Sequence, residues 1–161
     1  MKRPPLLDCS FLQDPAFITV YLVFVFCGLG FFTPLAHLIK YALDVGVGTQ
    51  AAASLFVVIG ICNIVGRIFG GKMSDSWGTI RTFAGSMCLT GRSTFLLALS
   101  DSYGMMVAYA FSYGFFGGSF MALNIVIYAE CFGLGNLPRT MGIGATSWLW
   151  GASTGPPLAG M

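Results

Sequence analysis

Charged side chains are scarce in this sequence. Asp, Glu, Lys and Arg together make up 9% of its 161 residues, whereas 56% of the residues are hydrophobic. A soluble domain carries about 25% charged residues, because its whole surface faces water. The shortage of charge therefore excludes a large soluble catalytic domain. With a mean hydropathy of +0.80, the composition predicts a membrane protein instead.

Patterns that support catalysis or metal binding are lacking as well. The chain has one histidine, and its six acidic residues form no pair or metal-spaced cluster within one span or loop. We therefore expect no enzyme activity, no metal site and no cofactor. The net charge of +2 comes from scattered basic residues, which argues against a nucleic-acid partner. The cysteines stand singly, as small buried hydrophobes do, at positions Cys9, Cys27, Cys62, Cys88 and Cys131.

Long apolar runs between the charges are what the sequence does contain. A helix needs about 20 apolar residues to cross a hydrocarbon core of ~30 Å. The predicted class is therefore all-α, a polytopic membrane bundle of about five transmembrane helices behind a cytoplasmic lead-in at 1–15. The third span is the weakest, because Arg92 lies near its middle. The predicted spans are 16–39, 51–71, 82–100, 103–129 and 140–161, joined by short polar loops at 40–50, 72–80, 101–102 and 130–139.

The basic residues outside the spans predict the orientation. Loops rich in Lys and Arg are retained in the cytoplasm. With the N-terminus inside, the outer loops carry only Lys40. The inner segments then carry the other five, which are Lys2, Arg3, Lys72, Arg81 and Arg139. We therefore expect a multi-pass membrane protein with a cytoplasmic N-terminus. The membrane that we expect is the plasma membrane.

Arg67 is the most informative residue of the second span. A guanidinium inside a membrane costs at least about 2.5 kcal/mol on insertion scales, so it usually faces a cavity or a partner. Asn63 lies four residues earlier on the same helical face, and Gly60 and Gly71 keep that face open. An arginine in such a place can bind a carboxylate through two parallel hydrogen bonds. The alternative is that Arg67 snorkels past Lys72 to the cytoplasmic surface.

Other polar and small residues within the spans carry weaker predictions. Arg92 stands near the centre of the third span without an acidic neighbour, and we expect it to line a cavity or a packing surface rather than to bind substrate. His37 is interpreted as an interfacial residue. Glycines four residues apart let helix backbones approach closely. Three such pairs occur: Gly66 with Gly70, Gly114 with Gly118, and Gly151 with Gly155.

The segment after the second span contains a recognisable motif. It has the frame G-x-x-x-D-x-x-G-x-x-R, filled by Gly71, Asp75, Gly78 and Arg81. This frame is similar to the signature loop of the major facilitator superfamily. The resemblance implies a gating loop, in which the Asp meets a helix N-terminus or a cation across a domain interface in one conformation only. Thr79 and Ile80 occupy places where basic residues are frequent, which implies a weaker charge relay.

Longer stretches resemble the monocarboxylate transporters within that superfamily. They look like the seventh to eleventh spans of that family, and the similarity covers the chain from about Leu6 onward. The resemblance implies part of a transporter for small organic anions, with a proton in many members. The stretches are YALDVGVGTQAAASLFVVIGICNIVGRIFGGKMSD at 41–75, YGFFGGSFMALNIVIYAECFGL at 113–134 and GPPLAG at 155–160.

The same resemblance assigns roles to two residues. The family's eighth span holds an Asp and an Arg four residues apart, for proton coupling and for carboxylate binding. Arg67 matches the Arg, whereas Asn63 replaces the Asp and cannot titrate, which argues against proton symport through this pair. Because the chain looks like one wall of a twelve-span transporter cut short, we expect it not to transport alone.

The expected partners follow from this reading. They are the lipid bilayer, a small carboxylate substrate and an ancillary membrane protein. The alternative function is that of a non-transporting membrane partner, which would associate with a full-length transporter through its glycine-rich faces.

Overall fold

A computed structural model describes residues 14–100 and 102–159, with 158–159 described for their backbone alone. Cys9 and nearly all of the predicted lead-in lie outside these residues. Within them the chain forms five helices: α1 (Pro15–Asp44), α2 (Thr49–Trp77), α3 (Thr79–Ala98), α4 (Tyr103–Phe132) and α5 (Leu137–Ala159). The predicted all-α class is confirmed.

The predicted loops are shorter than expected. The loop predicted at 40–50 shrinks to 45–48, because α1 continues to Asp44 and α2 begins at Thr49. The loop predicted at 130–139 shrinks to 133–136 for the same reason. Helices of 29 or 30 residues are about 45 Å long at 1.5 Å per residue, which exceeds the hydrocarbon thickness of ~30 Å. Charges mark where an apolar span ends, whereas the helix itself continues.

Three helices, α1, α2 and α4, are long and apolar enough to cross a membrane. The other two helices described, α3 and α5, cover most of the predicted spans 82–100 and 140–161 without reaching that apolar length. In α3 the cause is visible, since Arg81 and Arg92 and several hydroxyl side chains interrupt the apolar residues. That α3 and α5 also cross the membrane stays a prediction.

The first of two compact units contains α1 up to Thr33 and the chain from Tyr128 onward. Its helices meet at glycines: a Cβ added to Gly151 would lie 2.7 Å from the Cα of Gly28. The ring of Phe24 stacks on that of Tyr128, with centroids 5.3 Å apart. The predicted close approach at Gly151 is thus present in the structure, and Gly28 is its counterpart on α1.

The second unit, residues 34–127, contains α2, α3 and most of α4. Glycines on α2 lie against the backbone of α4, and glycines on α4 lie against the backbone of α2. A Cβ added to Gly114 would lie 2.6 Å from the carbonyl oxygen of Ile59, and one added to Gly66 would overlap the carbonyl of Phe115. The Ser119 hydroxyl also donates a hydrogen bond of 2.8 Å to the carbonyl oxygen of Gly66. These contacts fix α2 against α4 at the level of the predicted site.

Candidate functional site

Arg67 and Asn63 are joined by a hydrogen bond on α2. The Nε–H of Arg67 donates to Oδ1 of Asn63 over 3.0 Å. The Nη2 of Arg67 donates to the sulfur of Met121 on α4, at 3.6 Å. The guanidinium is exposed, whereas Asn63 is half-buried. The two residues of the predicted pair are therefore in contact, and Asn63 orients the plane of the Arg67 guanidinium.

The position of Asn63 is set by α4. A Cβ added to Gly118 would overlap the backbone carbonyl of Asn63. The absence of a side chain at Gly118 thus lets α4 touch the α2 backbone at the residue that orients Arg67. Backbone packed on backbone leaves less freedom than a flexible side chain would, so the acceptor is held in place.

Two glycines of α2 near the pair face open space, and the guanidinium keeps unused donors. Nothing lies within 4 Å of the positions that a Cβ would occupy at Gly60 and Gly71. A guanidinium has five N–H groups. Asn63 and Met121 each accept one of them, which leaves three for another acceptor. These three include donors on the terminal nitrogens, where a carboxylate can accept two parallel bonds.

The direction of the Arg67 side chain bears on the snorkelling alternative. Snorkelling to the cytoplasmic surface requires the side chain to extend toward Lys72. The hydrogen bond to Asn63 instead turns it one helical turn back, toward the middle of α2. In the observed conformation the guanidinium thus points away from Lys72.

The signature motif lies at the turn between α2 and α3. The prediction of a loop at 72–80 is wrong, because α2 continues to Trp77 and α3 begins at Thr79. Only Gly78 is non-helical, with φ of +89°, a conformation that favours glycine. Gly71 and Asp75 thus lie in the last turns of α2, and Arg81 lies in the first turn of α3.

The acid of the motif, Asp75, lies in the last turn of α2. Asp75 is exposed, and α3 has no side-chain cap at its N-terminus. Within residues 14–100 and 102–159, no ion pair joins Asp75 to Arg81. The turn is braced instead by the buried Ser74, whose hydroxyl donates to Oγ1 of Thr79 over 3.1 Å.

Arg92 lies on α3, apart from the Arg67 pair. It is exposed and lines an open groove of about 630 Å³ between α3 and α4, together with Ser93 and Ser112. The structure makes no contact between Arg92 and Arg67 in the part of the chain that it describes. The expectation that Arg92 lines a cavity agrees with this groove.

Two residues near the candidate site were not predicted from the sequence. Met121 is an ordinary hydrophobe in an apolar run, so no signal singles it out as a neighbour of Arg67. Ser119 follows Gly118 directly, and this cluster of small residues is a usable signal, because hydroxyls at close helix contacts bond to the facing backbone. Both lie on α4, and only the packing of α4 against α2 brings them to the site.

Comparison with known proteins gives a consistent result. The family model of the Major Facilitator Superfamily matches residues 17–161. Monocarboxylate transporter 12 of Xenopus laevis is 31% identical over 162 residues, which cover 95% of this chain and 34% of that protein. Monocarboxylate transporter 3 of Mus musculus is 29% identical over 160 residues, covering 96% of this chain and 32% of its own length.

A human relative has the same pattern. Monocarboxylate transporter 7 of Homo sapiens is 28% identical over 165 residues, or 99% of this chain and 31% of that protein. The predicted resemblance is confirmed. The chain spans about a third of the length of the curated relatives that it matches.

Proposed function

Because the chain belongs to the major facilitator superfamily, we propose that its helices form part of a pathway that transports small carboxylates across a membrane. Arg67 is the residue that contacts the carboxylate in this proposal. The single observation that carries it is the hydrogen bond from Arg67 to Asn63, which orients the guanidinium and leaves three N–H groups for a ligand.

The energetics support an anion at this place. Hydrogen bonds to a charged group contribute about 1.5 to 3 kcal/mol each, and bidentate contact adds geometric selectivity. A guanidinium within a membrane is costly until an anion or a polar group satisfies it. A small carboxylate that accepts two bonds from Arg67 would lower that cost, and a neutral solute of the same shape would not.

Transport in this proposal proceeds by alternating access. The α2–α3 turn serves as the gate, with Gly78 as its pivot and Gly71, Asp75 and Arg81 on the flanking helices. The support is that Asp75 and Arg81 are both exposed and unpaired with each other, so each is accessible to a facing charge. In this proposal the N-terminus is cytoplasmic, as the distribution of Lys and Arg predicts, and the membrane is the plasma membrane.

Proton coupling does not use this pair in the proposal. The amide of Asn63 does not ionise at accessible pH, and Arg67 remains charged. Uptake that depends on the pair is therefore expected to vary little with pH, unless another part of the pathway titrates.

A chimera tests the proposal. The stretch of mouse monocarboxylate transporter 3 that matches this chain is replaced by residues 17–161, and uptake of labelled monocarboxylates is measured in oocytes. Arg67→Lys should lower uptake at least tenfold with unchanged surface expression, since Lys cannot form the planar double contact. Arg92→Lys is the matched control and should retain uptake. Full uptake by the Arg67→Lys chimera would contradict the proposal.

A further inference from the structure

A crevice in the second unit lies beside the α2–α3 turn, and Arg81 is the residue that it shares with the proposed gate. It has a volume of about 140 Å³ and lies between α2, α3 and α4, with Phe69, Trp77, Gly85 and Phe116 in its wall. A shallower groove of about 280 Å³ adjoins it along α2 and shares Phe69 and Trp77. The two cavities have lining residues in common and are here together called the hairpin crevice.

The interior of the hairpin crevice suits hydrocarbon. Its polar lining is mainly hydroxyl, and those hydroxyls donate to helix carbonyls. Thr82 donates to Gly78 over 3.0 Å, Ser86 donates to Thr82 over 2.5 Å, and Ser119 donates to Gly66 over 2.8 Å. Because these protons are already bonded, the hydroxyls offer no donor to a polar ligand, and the remaining wall is largely aromatic and aliphatic.

The mouth of the crevice carries positive charge. Arg81 of α3 lines the cavity of about 140 Å³, Lys72 of α2 lines the adjoining groove, and both side chains are exposed. Neither forms an ion pair within the described residues. Asp75 is the acid nearest in sequence, but Met73 and Trp77 line the crevice, and Asp75 is two residues from each. At 3.6 residues per turn, Asp75 lies about 160° around α2 from both Met73 and Trp77, and about 60° from Lys72.

We propose that an anionic phospholipid binds in the hairpin crevice, with its phosphate between Lys72 and Arg81 and an acyl chain along the interior. A hydrocarbon interior with a cationic mouth is complementary to an amphiphile that has a negative head. Trp77 is 64% exposed beside the mouth, as tryptophans at membrane interfaces are. Basic pockets between transmembrane helices commonly take anionic headgroups. This inference stands independently of carboxylate transport.

Trp77 provides the readout. The chain has three tryptophans, so a variant with Trp148→Phe and Trp150→Phe reports from Trp77 alone. The full chain is reconstituted in phosphatidylcholine vesicles that contain either dibrominated phosphatidylglycerol or dibrominated phosphatidylcholine, whose bromines quench tryptophan on contact. We expect stronger quenching by phosphatidylglycerol at equal mole fraction. Inorganic phosphate should not reverse the quenching, because it lacks the acyl chain.

Charge variants test the headgroup contact. One basic residue near an anionic surface strengthens binding up to about fivefold, so Lys72→Gln with Arg81→Gln should reduce the preference for phosphatidylglycerol up to about 25-fold, toward parity. Arg92→Gln removes a charge from the same helix outside the crevice and should leave the preference unchanged. A preference that survives loss of both Lys72 and Arg81 would overturn the proposal, as would equal quenching by both lipids in the unsubstituted chain.

A packing variant tests the acyl-chain contact. Gly85 lines the crevice with nothing within 4 Å of an added Cβ, so Gly85→Leu should fill the space and reduce quenching at Trp77. Gly91→Leu makes the same change on α3 outside the crevice, also in open space. Equal quenching in the two variants would show that the lipid does not enter the crevice. Reversal by inorganic phosphate would show a simple anion site.

Discussion

The backbone of Asn63 on α2 and Gly118 on α4 touch so closely that a single added methyl group would overlap the Asn63 carbonyl. The same asparagine accepts the hydrogen bond from Arg67. Asn63 therefore takes part both in the packing of α2 on α4 and in the orientation of Arg67, the candidate anion contact. A close backbone contact between α2 and α4 and the arginine of α2 are parts of one arrangement.

Gly118→Ala should destabilise the packing of α2 on α4. The added methyl meets backbone atoms, which cannot swing aside as a flexible side chain can. Overpacking of this kind costs about 1 to 3 kcal/mol. Unfolding in mixed micelles, followed by loss of helical circular dichroism, measures the change. Gly60→Ala adds the same methyl to α2 in open space and should be neutral or slightly stabilising, so an equal loss in both variants would contradict the assignment.

Gly78→Ala should strain the α2–α3 turn. Gly78 has φ of +89° and ψ of 144°, a region that residues with a Cβ rarely adopt. Such strain costs about 1 to 3 kcal/mol. The same unfolding assay applies, with Gly71→Ala as control, because Gly71 is helical and its added methyl would meet nothing. A turn that tolerates alanine without loss of stability would mean that the hairpin is not held in this conformation.

Asn63→Asp should introduce a pH dependence that the natural pair lacks. An ionised aspartate at this position pairs with Arg67 and competes with a substrate carboxylate. Protonation removes that competition, so uptake by the chimera should rise as the pH falls through the aspartate pKa. Uptake at several pH values, with the external substrate kept ionised, measures the effect. Identical pH profiles for Asn63→Asp and the unsubstituted chimera would count against a shared site.

Sequence reasoning predicts much of this fold because the bilayer imposes a simple rule. Apolar runs of about 20 residues identify helices, and the runs that contain Phe24, Cys62 and Phe120 all lie inside helices in the structure. The rule says nothing about where a helix ends in water. The turn at Gly78 was therefore predicted as a loop of nine residues at 72–80, although one glycine suffices to reverse the chain.

The candidate site is predictable only in part. The spacing of Asn63 and Arg67 predicts a shared helical face, because residues four apart lie one turn from each other. The contact with Met121 depends on how α4 packs on α2, and that is decided by steric detail at Gly66 and Gly118. Likewise, the motif predicts that Gly71, Asp75, Gly78 and Arg81 belong to one gating segment, whereas the bond between Ser74 and Thr79 follows from the geometry of the turn.

The most direct test of the account is carboxylate binding at Arg67 itself. Nitrogen-15 NMR of the chain in lipid nanodiscs resolves the Nε–Hε groups of its arginines, which are Arg3, Arg67, Arg81, Arg92 and Arg139. Titration with lactate should shift the Arg67 signal saturably, and the neutral ester methyl lactate should not. The Arg92 signal is the internal control and should stay in place. An Arg67 signal unmoved by lactate, or one that moves equally with the ester, would contradict the central claim.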